Sequence, residues 1–153
     1  MLDTASVSPL ETHLGYWLRF VSNQVSHAFR MRLQEQDTTV AEWVVLRDLY
    51  DREATAPSEV AERLGMTRGA ITKLVDRLLA KDLLTRSATT LDRRYQALAL
   101  TPKGRALVPA LSAEADANDA DFFGHLDPAA RTVIESVLKD IVRRHGLRAV
   151  PVD

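Results

Sequence analysis

The chain contains no cysteine in 153 residues. That removes thiol catalysis, thiolate metal sites, disulfide frameworks and cysteine-based peroxide sensing. No apolar run approaches the roughly 18 residues needed to span a bilayer. Residues 1–4 also lack the basic stretch before an apolar core that marks export, so a soluble, cytoplasmic protein with no membrane partner is expected. There is no phosphate-binding glycine loop, no His-Glu-x-x-His and no Gly-x-Ser-x-Gly, and the expectation is a protein that is not an enzyme. His13, His27, His125 and His145 are scattered, with no pair one helical turn apart. The acidic run Glu114, Asp116, Asp119 and Asp121 lacks the loop glycine and terminal glutamate of a calcium hand and reads as a solvated helix face. Neither a metal nor a cofactor is expected.

What is present is an ordinary globular composition, 46% hydrophobic and 27% charged, with an overall charge of only −1. A domain of this size buries roughly 68–70% of its unfolded surface, enough to fold without staples. The charge is unevenly placed. Residues 60–105 hold ten basic side chains against four acidic ones, a net +6, which leaves −7 for the rest. Such a split presents one surface to a polyanion and keeps the remainder acidic.

Helix signals follow in order. Ser8-Pro9-Leu10-Glu11 reads as a capping box that opens a long first helix, with Leu10, Leu14, Trp17, Leu18, Val21, Val25, Phe29 and Leu33 on one stripe. Thr39-Val40-Ala41-Glu42 is a second box, followed by Trp43, Leu46, Leu49 and Tyr50. Pro57 starts a short third helix that Gly65 ends in a left-handed cap. Thr67 caps a fourth, with Ile71, Leu74, Val75, Leu78 and Leu79 facing inward. Two helices of this length around a glycine turn make a helix-turn-helix. Residues 83–87 and 95–100 then alternate as strands around a polar turn at 88–94. Thr101-Pro102 opens a helix to about Phe123. Asp127-Pro128 opens the last one, with Val133, Ile134, Val137, Leu138 and Ile141 inward and Gly146 at its end.

With the fourth helix oriented this way, Arg68, Gly69, Thr72, Lys73 and Arg77 share its outer face. Cations and hydroxyls along such a face suit the major groove, where arginine or lysine meets guanine O6 and N7. Thr67 at the helix start offers a hydroxyl and free amides to a phosphate. Arg93 and Arg94 at the hairpin turn suit the minor groove or flanking phosphates, and Asp92 orients one of them through a charge-assisted pair. A plain charged helix face is the alternative.

The runs Glu59-Val60-Ala61-Glu62-Arg63-Leu64 and Arg68-Gly69-Ala70-Ile71-Thr72-Lys73-Leu74-Val75, the strand Leu83-Leu84-Thr85-Arg86, Asp92-Arg93-Arg94, and Leu98 to Thr101 with Lys103-Gly104 together resemble the MarR (multiple antibiotic resistance regulator) family of winged helix-turn-helix repressors. Order, spacing and flanking helices agree over nearly the whole chain. Two positions depart: Thr90-Leu91 stand where the family often has Asp-Pro, and Ala56 stands at a helix start where serine or threonine is common. The resemblance implies a mainly helical fold with a small β-hairpin wing, a recognition helix at about 68–81, and a wing tip at Arg93 and Arg94. It also implies a dimer built from the first and last helices, a pseudo-palindromic double-stranded DNA site, and release by a small ligand.

The expected organisation is a single domain over 1–153, with a DNA-binding lobe at 39–101 and dimerisation helices at 8–35 and 102–146. The terminal helices carry more apolar surface than one small winged lobe covers, and a two-fold homodimer is the common way to bury it. Tyr16, Trp17 and Phe20 on the first helix, with Trp43 and Arg47 on the second, are candidates for lining an effector cavity. In relatives that cavity lies where these helices meet the lobe, and an aromatic acid or phenol would suit its walls. Filling the dimer core is the alternative role for the same aromatics. A winged-helix protein-interaction module without DNA binding is the competing function.

Overall fold

The computed structural model describes the backbone of residues 6–89 and 92–148, and the side chains of those stretches except 88, 89 and 92–95. A 3₁₀ turn (Leu10–Thr12) precedes α1 (Leu14–Gln34), α2 (Val40–Tyr50), α3 (Pro57–Leu64) and α4 (Arg68–Ala80). Then come β1 (Leu84–Thr89), β2 (Asp92–Leu100), α5 (Pro102–Phe123) and α6 (Pro128–His145). The fold is mainly helical with one antiparallel hairpin.

Most helix starts and stops are the ones the side chains dictate. Thr39 and Glu42 form a reciprocal capping box on α2. Thr67, Thr101 and Asp127 each accept a backbone N–H three residues ahead, which opens α4, α5 and α6. Gly65 and Gly146 close α3 and α6 at φ 65° and 58°, conformations that cost glycine nothing. Ala56 starts α3 without a side-chain cap, and Pro57 at the first helical position compensates in part.

Two expectations are corrected. The Ser8 box does not form. His13 is extended at φ −93°, ψ 122°, so the first turn stands alone as a 3₁₀ segment and α1 begins at Leu14. Tertiary-like hydrogen bonds hold that segment instead: Thr12 donates to the Pro9 carbonyl at 2.7 Å and the Trp17 indole to the Glu11 carbonyl at 2.9 Å. The strands also reach further than the polar turn led us to expect. Leu84 pairs with Leu100 and the ladder continues to Thr89 opposite Asp92, so Asp92, Arg93 and Arg94 belong to β2. The register shifts between Ala88 and Thr89, leaving residues 93–95 between successive pairs.

One core underlies the lobe. Leu46 and Leu49 of α2, Val60 of α3, Ile71 and Leu78 of α4 and Leu98 of β2 are all buried in it, with Leu33 of α1 and Leu111 of α5. Thr55 in the α2–α3 loop exchanges both backbone hydrogen bonds with Leu98, at 2.9 and 2.7 Å, and so ties the helix-turn-helix to the hairpin. A third correction concerns α6. Val133, Ile134, Val137, Leu138 and Ile141 do not face inward within the single chain; all are exposed, and α6 has no buried residue. The N-terminal half of α1 is bare in the same way, with Leu14, Leu18 and Val21 exposed.

The joint between hairpin and α5 is made of backbone. Thr101 accepts from the Gly104 amide at 3.0 Å, donates its hydroxyl to Asp82 O at 2.6 Å, and donates its own amide to Leu83 O at 3.1 Å. A Cβ on Gly104 would stand 2.2 Å from that same Leu83 oxygen. Gly104→Ala is therefore expected to cost about 1–3 kcal/mol of stability, the usual range for overpacking. Urea unfolding measures it, and an unchanged midpoint would mean the joint yields freely.

Candidate nucleic-acid interface

The candidate surface starts with the α3–α4 turn. Gly65 in the left-handed region lets Met66 donate back to Ala61 O at 2.9 Å, which sets the entry into α4. Four apolar residues of α4, Ile71, Leu74, Val75 and Leu78, are buried; Arg68, Gly69, Thr72, Lys73 and Arg77 are exposed on the opposite side. The periodicity thus orients the helix as its sequence requires.

The exposed residues differ in what holds them. Arg68 and Lys73 have no side-chain hydrogen-bond or charged partner among the described residues. Thr72 donates its hydroxyl to the Arg68 carbonyl at 2.9 Å and keeps its acceptor lone pairs. Thr67 uses its oxygen as the α4 cap, accepting from Ala70 N at 3.1 Å, and keeps its proton to donate. Arg77 is engaged: its Nε lies 3.3 Å from Glu42 Oε1. Arg86 on β1 lies 3.6 Å from Asp76 of α4. The side chains of Asp92, Arg93 and Arg94 lie outside the described residues, though their backbone places them at the far end of the hairpin.

A second set of charges braces the lobe. Arg63 donates from Nε and Nη2 to both oxygens of Asp48, at 3.0 and 2.6 Å, locking α3 to α2. These hydrogen bonds hold the Arg63 guanidinium even further above its ordinary pKa. Arg105 donates to the last carbonyl of α2, Tyr50 O, at 3.1 Å, with its guanidinium over the Tyr50 ring. Sequence reasoning missed Glu42 as more than a capping residue. It is only 2% exposed, and besides Arg77 it pairs with Lys81 Nζ at 3.0 Å.

The candidate effector residues fall into separate places. Tyr16 and Phe20 line a groove of about 360 Å³ with Leu10, His13 and Arg19. Trp17 stands edge-on to Tyr16, ring centres 5.2 Å apart. Arg47 lines another groove of about 320 Å³ between α2 and α5, with Tyr50, Val108, Ser112 and Asp116. It is held there by Asp51 at 2.6 Å, a hydrogen bond that raises its pKa. Trp43 is partly buried against the core. His27 is exposed on α1. The acidic run is largely spent on ion pairs: Glu114 and Asp121 with Arg32, and Asp119 with Arg131 at 2.8 Å. No group of three His, Asp or Glu suited to a metal ion occurs among the described residues, nor is any described helix long and apolar enough to cross a membrane.

A helix-turn-helix braced by a hairpin, with a basic face on its second helix, defines a winged helix-turn-helix protein. Residues 38–95 match the model of the MarR family. It is 38% identical over 72 residues to the HTH-type transcriptional repressor MdtR of Bacillus subtilis, 47% of this chain and 46% of that protein. The chain spans about half the length of the curated relatives it matches. Among solved structures it resembles BpsR of Bordetella bronchiseptica, whose DNA binding is regulated by 6-hydroxynicotinic acid. The TM-score there is 0.77 at 29% identity, over 89% of this chain and 97% of that one. CouR of Rhodococcus jostii RHA1, solved with p-coumaroyl-CoA, gives 0.76 at 26% identity over 88% and 95%.

Proposed function

We propose that this chain is a cytoplasmic, homodimeric repressor that binds a pseudo-palindromic operator and is released by a small aromatic or phenolic ligand. The observation that carries the reading is the outer face of α4. Arg68, Thr72 and Lys73 stand exposed along the helix while its apolar side is locked into the core. A rigid helix with outward cations at its N-terminal half is what the major groove accepts. The domains divide as lobe 39–101 for DNA and helices 8–35 and 102–146 for dimerisation. The bare apolar faces of α1 and α6 support the second assignment. Two lobes related by a two-fold axis read half-sites about 34 Å apart, and a bound ligand weakens DNA by preferring another spacing. Thr67, Arg68, Gly69, Thr72, Lys73 and Arg77 form the helix contacts. Arg93 and Arg94, oriented by Asp92, form the wing contacts.

For the effector, Tyr16, Trp17, Phe20, Trp43 and Arg47 remain the lining residues proposed. That MdtR is a repressor and that BpsR and CouR meet aromatic compounds supports this choice of class. Selection of genomic fragments by the purified chain, followed by footprinting, tests the whole. The expected result is protection of a palindrome of about 16–20 base pairs at low salt. Aromatic acids and phenols are then expected to release that labelled duplex from the wild type but not from Arg47→Ala or Trp43→Ala. No protected palindrome would sink the regulator reading; release unaffected by both variants would sink the cavity alone.

A further inference from the structure

We infer that Glu42 is a positioning residue: it holds the Arg77 guanidinium in the orientation in which that side chain meets a DNA phosphate. The inference rests on the DNA-binding reading above. Glu42 sits at the third position of α2 and already completes the capping box, its Oε2 accepting from the Thr39 amide at 3.2 Å. Capping needs no burial, and glutamates do it in open solvent. This one is 2% exposed, and both its oxygens are occupied by cations from the end of α4. Lys81 Nζ reaches Oε2 at 3.0 Å and Arg77 Nε reaches Oε1 at 3.3 Å. Lys81 has a further anchor, donating to the Asp37 carbonyl at 2.6 Å at the corner between α1 and α2.

The two cations have different fates. The Lys81 ammonium is used up within the protein. Arg77 is 53% exposed at its side chain, and only its Nε edge lies against Glu42, as an ion pair at 3.3 Å. Guanidinium is a rigid planar fork, and an ion pair at its Nε edge restricts where the two terminal nitrogens lie. Those nitrogens make no hydrogen bond among the described residues. Arg77 also lies nine residues beyond Arg68, about 13 Å along the helix axis. The N-terminal residues of a recognition helix take the base edges, which leaves a cation this far along to the sugar–phosphate backbone. Glu42 thereby removes the disorder of a long side chain before DNA arrives, from a place where its own negative charge is screened from the phosphates by two cations.

The alternative is a staple that merely fixes α4 against α2, and the two predict different losses. A displaced α4 would misalign Arg68, Thr72 and Lys73 and reduce the preference for operator over other DNA. A misdirected Arg77 weakens both equally. The test uses the full-length wild type and Glu42→Gln, Arg77→Ala and the double variant. Each is titrated with the footprinted duplex and with a scrambled duplex of equal length, across a range of salt, with circular dichroism to confirm folding. Glu42→Gln is expected to bind both duplexes roughly threefold to tenfold more weakly, the effect of freeing one long side chain. Arg77→Ala should do the same and lower the salt slope by about 0.9, and the double variant should match Arg77→Ala. Simple electrostatics predicts the opposite sign for Glu42→Gln, since it removes a negative charge near DNA. Binding unchanged or tightened, or a loss confined to the operator, overturns the inference. Should Glu42→Gln not fold, Arg77→Lys decides: it keeps the charge without the fork, and wild-type affinity there overturns the inference too. If the wild type binds neither duplex, the regulator reading fails first and takes this one with it.

Discussion

Replacing Arg68 by alanine is expected to cost about 1–3 kcal/mol of operator affinity, roughly 5- to 150-fold, concentrated at one or two base pairs. Lys73→Ala should behave similarly at a different position in the half-site. The argument runs from the helix outward. Buried Ile71, Leu74, Val75 and Leu78 fix the rotation of α4, so Arg68 and Lys73 have no choice of direction. Neither spends its charge on a partner among the described residues. Because no described side chain depends on theirs, their loss should leave thermal stability within about 0.5 kcal/mol of wild type. Arg93→Ala and Arg94→Ala should act differently, lowering affinity for all sequences and reducing the salt slope. Quantitative binding to an operator and a set of single-base variants separates the two patterns. A wing substitution that relaxes specificity at one base with an unchanged salt slope would reverse this division of labour.

The other large effect belongs to α6. If the proposed dimer forms through this face, Leu138→Asp is expected to give monomers at micromolar concentration and to abolish operator binding. Leu138 is 43% exposed in the single chain and sits among Ile134, Ile141 and Val142, all likewise exposed. A carboxylate there harms nothing inside one chain. In a two-fold interface it appears twice, each copy desolvated without a partner, a penalty of several kcal/mol per ion. One lobe alone covers one half-site, and the affinity gained by linking two half-sites goes with it. Sedimentation velocity gives the assembly state directly. A Leu138→Asp variant that still sediments as a dimer would move the interface away from this face.

How much was readable follows from where each signal lives. Caps are local, and Thr39, Pro57, Gly65, Thr67, Thr101, Asp127 and Gly146 each mark the boundary their chemistry calls for. Ser8 carries an equally good local pattern and fails, because nothing in a capping box forbids an extended His13 five residues later. The inner and outer faces of the fourth helix were legible from period: Ile71, Leu74, Val75 and Leu78 are buried, and Leu79 is partly buried against the same core. The hairpin was not: Ala88, Thr89 and Asp92 of the polar run that reads as turn are paired in the ladder, since strand pairing depends on the opposite strand and not on composition. Glu42 shows the deeper limit. Its spacing from Thr39 announces a cap, but its burial and its two cations come from α4, thirty-five and thirty-nine residues on, and no local rule reaches that far. The separation of Tyr16 and Phe20 from Arg47 is of the same kind, a matter of how helices are laid against each other.

The contact of Gly104 with Leu83 makes α5 a lever. With no side chain between the two backbones, the start of the helix has little room to slide on the base of the hairpin, and the two turn together. From Gly104, α5 runs on to Phe123, about 28 Å beyond that fulcrum. A tilt of about 5° at the base therefore moves the far end by about 2.5 Å, over a length set by the helical rise. The arm ends close to α6, which starts after three intervening residues past Gly124, so a rotation too small to disturb the lobe's own core arrives at α6 as a displacement comparable to a side chain. Run in reverse, the same arm converts a shift of the terminal helices into a slight change in the angle at which α4 is presented.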